Sequence, residues 1–214
     1  MNIDLQTKNI VKTKLEQRGN EYKIKAPVTG SVVLNNAVVA SFGDGSLRFF
    51  GLNQEPFEVK AHKGVILTMS SNGQFVYTGG DDGKFLKISS DGQINEIYNF
   101  GSQWVDCVAS TENYFACSSG KKAYLWVNDD SKPLIMDNSS TVGGLSFDLE
   151  GNKLAVSSYG GVTVCKGVTE DGNHLDLYGK VLMEKLLLVL MESILFQPCK
   201  KTKYMGGASE IKLI

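Results

Sequence analysis

Short stretches of β-branched and aromatic residues recur along the middle of the chain, at 38–42, 47–50, 65–69, 75–77, 85–88, 105–109, 114–117, 124–127, 145–147, 154–156 and 162–165. Gly, Asn and Asp separate them. Runs this short and this regularly punctuated predict strands, and with them an all-β sandwich, barrel or propeller. The pattern differs on either side. Residues 1–21 are polar and of mixed charge, residues 22–165 carry the strand pattern, and residues 166–214 lose it. Within the last part, 180–196 sets Leu182, Leu186 and Val189, and Met183, Leu187 and Leu190, at helical spacing, with Pro198 as a stop. That segment reads as an amphipathic helix packed on an open edge.

Internal repetition decides among the all-β architectures. The stretch from Val38 to Phe50, with Gly43-Asp44-Gly45 at its centre, shares one plan with the stretch from Phe75 to Ile88, centred on Gly79-Gly80-Asp81-Asp82-Gly83. Two more copies run from Tyr114 to Trp126 and from Lys153 to Cys165. The copies end at 50, 88, 126 and 165, so they lie 38, 38 and 39 residues apart. A four-stranded propeller blade repeats every ~40–45 residues. An independent marker agrees, because the turn glycines Gly73 and Gly151 are 78 residues apart, two periods of 39. About four blades are therefore predicted.

These residues resemble the WD-repeat family of β-propellers. Ala61-His62, the apolar run 65–69, the turn Ser71-Asn72-Gly73-Gln74, and Thr78 through Lys84 follow that repeat in order and spacing. The resemblance covers about residues 30–165. It implies, in the second blade, a hydrogen-bonded tetrad in which His62, Thr78 and Asp82 hold three positions; Ile88 stands where the family has Trp. In the third blade Trp126 is present without a His, and in the fourth Cys165 takes that place. The chain is thus a divergent relative. The resemblance also implies a non-catalytic scaffold for protein partners. On the residues alone, His62 reads as a satisfied internal histidine and Asp82 as the cap of its own turn.

Composition narrows the function classes. The chain has 214 residues, 42% hydrophobic and 9% aromatic, with 22 Lys+Arg against 23 Asp+Glu for a net charge of -1. A globular chain of this length removes roughly 70% of its unfolded surface from water, enough for one core or two small ones. The balanced charge lacks the footprint of a general nucleic-acid binder. Cys107, Cys117, Cys165 and Cys199 form no CxxC pair, and His62 and His174 are the only histidines, so neither a metal nor a cofactor is expected. The polar N-terminus and the lack of a long apolar span predict a cytoplasmic protein with reduced thiols and no membrane partner.

Catalytic patterns are thin. No Gly-x-Ser-x-Gly occurs, Gly79 to Lys84 lies between strands where a phosphate loop needs a strand-to-helix turn, and the acidic pairs Asp81-Asp82 and Asp129-Asp130 read as turn residues. Trp104, Trp126 and the tyrosines read as blade-packing groups. The alternative is part of a propeller enzyme, a lyase, hydrolase or cofactor-dependent dehydrogenase, with its site in the channel. Arg48 and His62 are the only Arg and His in the blades to build it from.

The tail carries a second reading. Leu-Met-Glu occurs at 182–184 and again at 190–192, and each Met-Glu codon pair read one base early becomes His, Tyr, Asn or Asp followed by Gly. That dipeptide is a turn signature. The expectation is a frameshift near residue 165 that truncated a longer propeller and appended the tail. Propellers close rings of roughly four to eight blades, so a ring left open would expose strand edges and favour edge-to-edge self-association.

Overall fold

The computed structural model describes residues 13, 19, 21–51, 54–127, 129, 131–159, 161–166 and 176–181. Among them the fold is all-β, four antiparallel four-stranded sheets in chain order. Blade 1 holds β1 (Val28–Leu34), β2 (Ala37–Phe42), β3 (Ser46–Gly51) and β4 (Phe57–Lys60). Blade 2 holds β5 (Ile66–Ser71), β6 (Phe75–Gly80), β7 (Lys84–Ser89) and β8 (Ile94–Asn99). Blade 3 holds β9 (Cys107–Ser110), β10 (Phe115–Ser119), β11 (Lys122–Trp126) and β12 (Leu134–Asp137). Blade 4 holds β13 (Val142–Phe147), β14 (Lys153–Ser158), β15 (Gly161–Lys166) and β16 (Asp176–Val181). Each sheet is a simple meander.

The predicted turns are where the repeat put them. Gly73 and Gly151 both join the first two strands of a blade, at φ 90° and 71°. Gly45 and Gly83 both join the second and third strands, at φ 80° and 76°. Such backbone suits glycine because an L side chain there meets the following carbonyl.

Two sequence expectations need correction. The β pattern does not stop at Lys166: β16 pairs with β15 from Lys166↔Asp176 to Val162↔Val181 and completes blade 4. Lys180 and Val181 therefore belong to a strand, and the rest of the expected helix, together with Pro198, His174 and Cys199, lies outside the described residues. Trp104 is not a packing group. It stands in the connector between β8 and β9 and is 58% exposed, while its neighbour Val105 is buried; Tyr159, also expected to pack, is 90% exposed in the turn between β14 and β15. A connector has no alternating pattern to say which of two adjacent apolar residues turns inward.

Alternation sorts each blade's side chains onto two faces. One face looks toward the following blade and the other toward the preceding one. Between blades 1 and 2, Val39, Leu47 and Phe49 meet Ile66, Val76, Leu86 and Ile88. Between blades 2 and 3, Tyr77 and Phe85 meet Phe115, Cys117, Tyr124 and Trp126. Between blades 3 and 4, Ala116, Ala123 and Leu125 meet Leu154, Val156 and Cys165. The core is thus a series of inter-blade seams. The inner strands β1, β5, β9 and β13 pack in that order, and β1 and β13 do not pack on each other as consecutive inner strands do. The four blades form an open arc.

Candidate interaction surface

The three predicted network residues come from three parts of blade 2. His62 lies in the connector before β5, Thr78 in β6, and Asp82 in the β6–β7 turn. The structure brings all three together. His62 Nδ1 stands 2.8 Å from Asp82 Oδ1, and His62 Nε2 stands 2.8 Å from Thr78 Oγ1. A carboxylate can only accept, so Nδ1–H donates to Asp82, and Nε2 pairs with the Thr78 hydroxyl. Asp82 also accepts from the backbone N–H of Lys63 at 3.0 Å and of Lys84 at 3.2 Å. Burial pushes its carboxyl up, yet the bonds from His62, Lys63 and Lys84 outweigh that and hold it below the ordinary range.

Sequence reasoning missed how the ring is seated. A Cβ on Gly80 would overlap His62 Nδ1, so only glycine leaves room for the imidazole there. The Gly79-Gly80 pair ahead of the Asp-Gly turn was the signal. Ile88, where the WD-repeat resemblance would expect Trp, is fully buried and offers Thr78 no donor. His62 and Thr78 are themselves buried. With both imidazole nitrogens and the carboxylate engaged internally, the network has no free group to present to a substrate.

Other titratable groups are spent in the same way. Asp44, in the corresponding turn of blade 1, accepts from the Ser46 hydroxyl at 2.6 Å and the Ser46 N–H at 3.0 Å, which lower its carboxyl pKa. Burial pushes the Cys117 thiol well up and that of Cys165 to about 11, away from thiolate chemistry. A cleft of about 350 Å³ opens between blades 2 and 3 beside Phe75, Tyr77, Lys87 and Asp129. Lys87 crosses it, 2.7 Å from Asp129 and 4.1 Å from the Phe75 ring centroid. Burial, with the Asp129 charge adding, pushes the Tyr77 hydroxyl up to about 12.

Among the exposed apolar groups of the described residues, two large aromatics, Trp104 and Tyr159, share one side of the arc. The turns between second and third strands and the connectors between blades share that side, since the Gly45 carbonyl accepts the N–H of His62 and the Gly83 carbonyl that of Phe100. Trp104, 58% exposed, and Tyr159, 90% exposed, stand there in a connector and a turn. Large aromatics held by short rigid connections are the groups that anchor protein interfaces.

Among the described residues no group of three or more His, Cys, Asp or Glu is placed to hold a metal ion, and no helix is long and apolar enough to cross a membrane. No family model matches the sequence, and no curated protein matches it. The fold is similar to a chain in the crystal structure of the mitotic checkpoint complex, with a TM-score of 0.59 and 12% identity over 72% of this chain and 51% of that one. The protein thus spans about half the length of that chain. It is also similar to the crystal structure of the computationally designed Ika4 protein, with a TM-score of 0.53 and 18% identity over 75% of this chain and 98% of that one. At these identities the likeness shows the fold alone: an all-β arc of propeller blades.

Proposed function

We propose that this chain is a divergent WD-repeat-like, non-catalytic scaffold that binds a protein partner through the Trp104 and Tyr159 side of the arc. One observation carries the reading. His62, the sole histidine among the described residues, is buried with both ring nitrogens committed to Thr78 and Asp82. The chemistry that would serve an enzyme site in the channel is consumed in holding a turn. The similar chain from the mitotic checkpoint complex belongs to a protein assembly, which accords with a protein partner. We read the arc as part of a longer propeller whose reading frame was interrupted near residue 165, although β16, at 176–181, still pairs within blade 4.

The test is co-purification of the tagged full chain from its native cells, followed by measured affinity for whatever copurifies in stoichiometric amount. Trp104→Ala and Tyr159→Ala together should weaken that affinity at least tenfold, the scale of a lost aromatic anchor. Ile135→Ala, on the outer strand β12, should leave it unchanged. A partner indifferent to the double substitution would place the interface elsewhere, and substrate turnover by the purified chain would end the non-catalytic reading. DNA sequence downstream of the codon for residue 165, read in the shifted frame, tests the interruption: it should encode further blades.

A further inference from the structure

Every seam in the chain joins the same two kinds of face. A face looking toward the following blade, carrying Val39, Tyr77 or Ala116, packs on a face looking toward the preceding blade, carrying Val76, Phe115 or Leu154. An open arc leaves one face of each kind at its ends. On blade 1 the row of the preceding-facing side runs across three strands as Val33, Val38 and Phe50. Val33 is 65% exposed and Val38 47%, whereas Val76, Phe115 and Leu154, in the same register as Val38, are 0%, 4% and 1% exposed. Tyr22 extends the patch, its ring 5.1 Å from that of Phe50 and itself 48% exposed. On the same face Arg48 stands where blade 2 has Leu86, and its Nη1 is buried without a hydrogen-bond partner among the described residues.

Blade 4 ends the arc with the other kind of face. Ala155 occupies the register position of Tyr77 and Ala116, and Ser157 and Val164 lie on the same side, as does the buried Val162. Ala155, Ser157 and Val164 are only half-buried, while Tyr77 and Ala116 are fully buried against the next blade.

We propose that a second copy of this chain covers both ends, blade 1 of each copy packing on blade 4 of the other about a two-fold axis. The occupant follows from face type. The face on blade 1 needs a following-facing surface and the face on blade 4 needs a preceding-facing one, and a single copy of this chain carries both. One two-fold rotation satisfies the two seams at once and leaves no end to propagate. Two four-blade arcs make eight blades, within the range of roughly four to eight in which propellers close. The contact is face to face, continuing the internal seams, and differs from the edge-to-edge pairing expected from the sequence. Internal geometry names the residues that meet. In the seam between blades 2 and 3 the rings of Tyr77 and Phe115 stack 5.0 Å apart, and their counterparts across the new seam are Ala155 of one copy and Val38 of the other.

Light scattering on the full chain separated by size exclusion should give twice the chain mass at micromolar concentration. Val38→Glu should raise the dimer dissociation constant at least tenfold with the circular dichroism spectrum unchanged, and Ile135→Glu should not. Under mild oxidation the pair Val38→Cys and Ala155→Cys, mixed as separate single variants, should give a covalent dimer that neither variant gives alone. A chain that stays monomeric at all concentrations, whether its faces are covered by its own terminal residues or left bare, overturns the proposal. So do open-ended oligomers, a dimer insensitive to Val38→Glu, and a disulfide between two copies of residue 38. The Trp104 and Tyr159 side stays free in the dimer, so partner affinity measured on the Val38→Glu monomer tests the scaffold reading separately.

Discussion

Blades 2 and 3 share a register and fill it with opposite chemistry. In blade 2 the row Val76↔Ile88 lies beside the row Thr78↔Leu86, and Thr78 feeds a buried polar chain to His62 and Asp82. In blade 3 the matching rows are Phe115↔Trp126 and Cys117↔Tyr124. Trp126 sits 6.0 Å from Phe115 and 5.3 Å from Phe85 of the neighbouring blade, and the connector's side-chain bond to this blade is a long one, Ser119 Oγ to Gln103 Oε1 at 3.5 Å. One blade ties its connector to its turn with hydrogen bonds, and the other fills the same volume with rings. A buried polar chain holds one geometry and fails if any member is lost, whereas an aromatic cluster draws its stability from area and loses it in proportion to volume. The same register thus holds His62, Thr78 and Asp82 in one blade and Trp126 in the next.

Trp126→Ala should have the largest effect, lowering unfolding free energy by about 3–5 kcal/mol, read from urea titration. His62→Ala comes next. It strands Thr78 and Asp82 together and should cost about 2–3 kcal/mol by the same measurement. If both changes cost the same small amount, the two blades are not held in different ways.

Glycine substitutions probe the turns that serve both kinds of blade. Gly73→Ala meets open space and should cost about 1 kcal/mol, the strain of φ 90° alone. Gly83→Ala must cost more, because its Cβ would overlap the carbonyl oxygen of Gly101 and backbone would have to move. Acid titration separates the polar blade by sign. Asp82 has a folded pKa below its unfolded value, so its contribution is complete above about pH 4 and is lost as pH falls through the folded value. Asp82→Asn should flatten part of the acid limb of stability against pH, with Asp44 supplying another part. The smallest effect belongs to Lys87→Ala, about 0.2–1 kcal/mol for an ion pair with Asp129 at the protein surface.

The inner three strands of most blades were legible because they alternate between two buried seams. The outer strands β4, β8, β12 and β16 were not, nor was β1. In β8 five of the six residues, Ile94 to Asn99, are exposed, and β4 exposes Phe57, Glu58 and Lys60. An outer strand is placed by its ladder of backbone bonds and by the need to blunt an edge, and neither leaves an apolar signature in sequence. β1 carries Thr29, Gly30 and Ser31, which leave it no apolar run, and Thr29 Oγ1 stands 2.8 Å from Ser41 Oγ of β2. The site was more legible than the sheet. His62, Thr78 and Asp82 were expected together through the resemblance to the WD-repeat pattern, while the exposure of Trp104 depends on which way a connector rolls.

The carbonyls of the turn glycines have a consequence for how such a chain could be copied. Gly45 O accepts the N–H of Ala61 and His62, Gly83 O that of Phe100, and Gly120 O that of Val142, so each sheet is fastened by backbone from the segment leading into the next one. The heritable module is therefore not the sheet drawn as a blade. It begins within one sheet and ends within its successor, and a gene duplication whose boundaries coincided with the sheets would cut every fastener, while one displaced by a strand would carry each fastener intact.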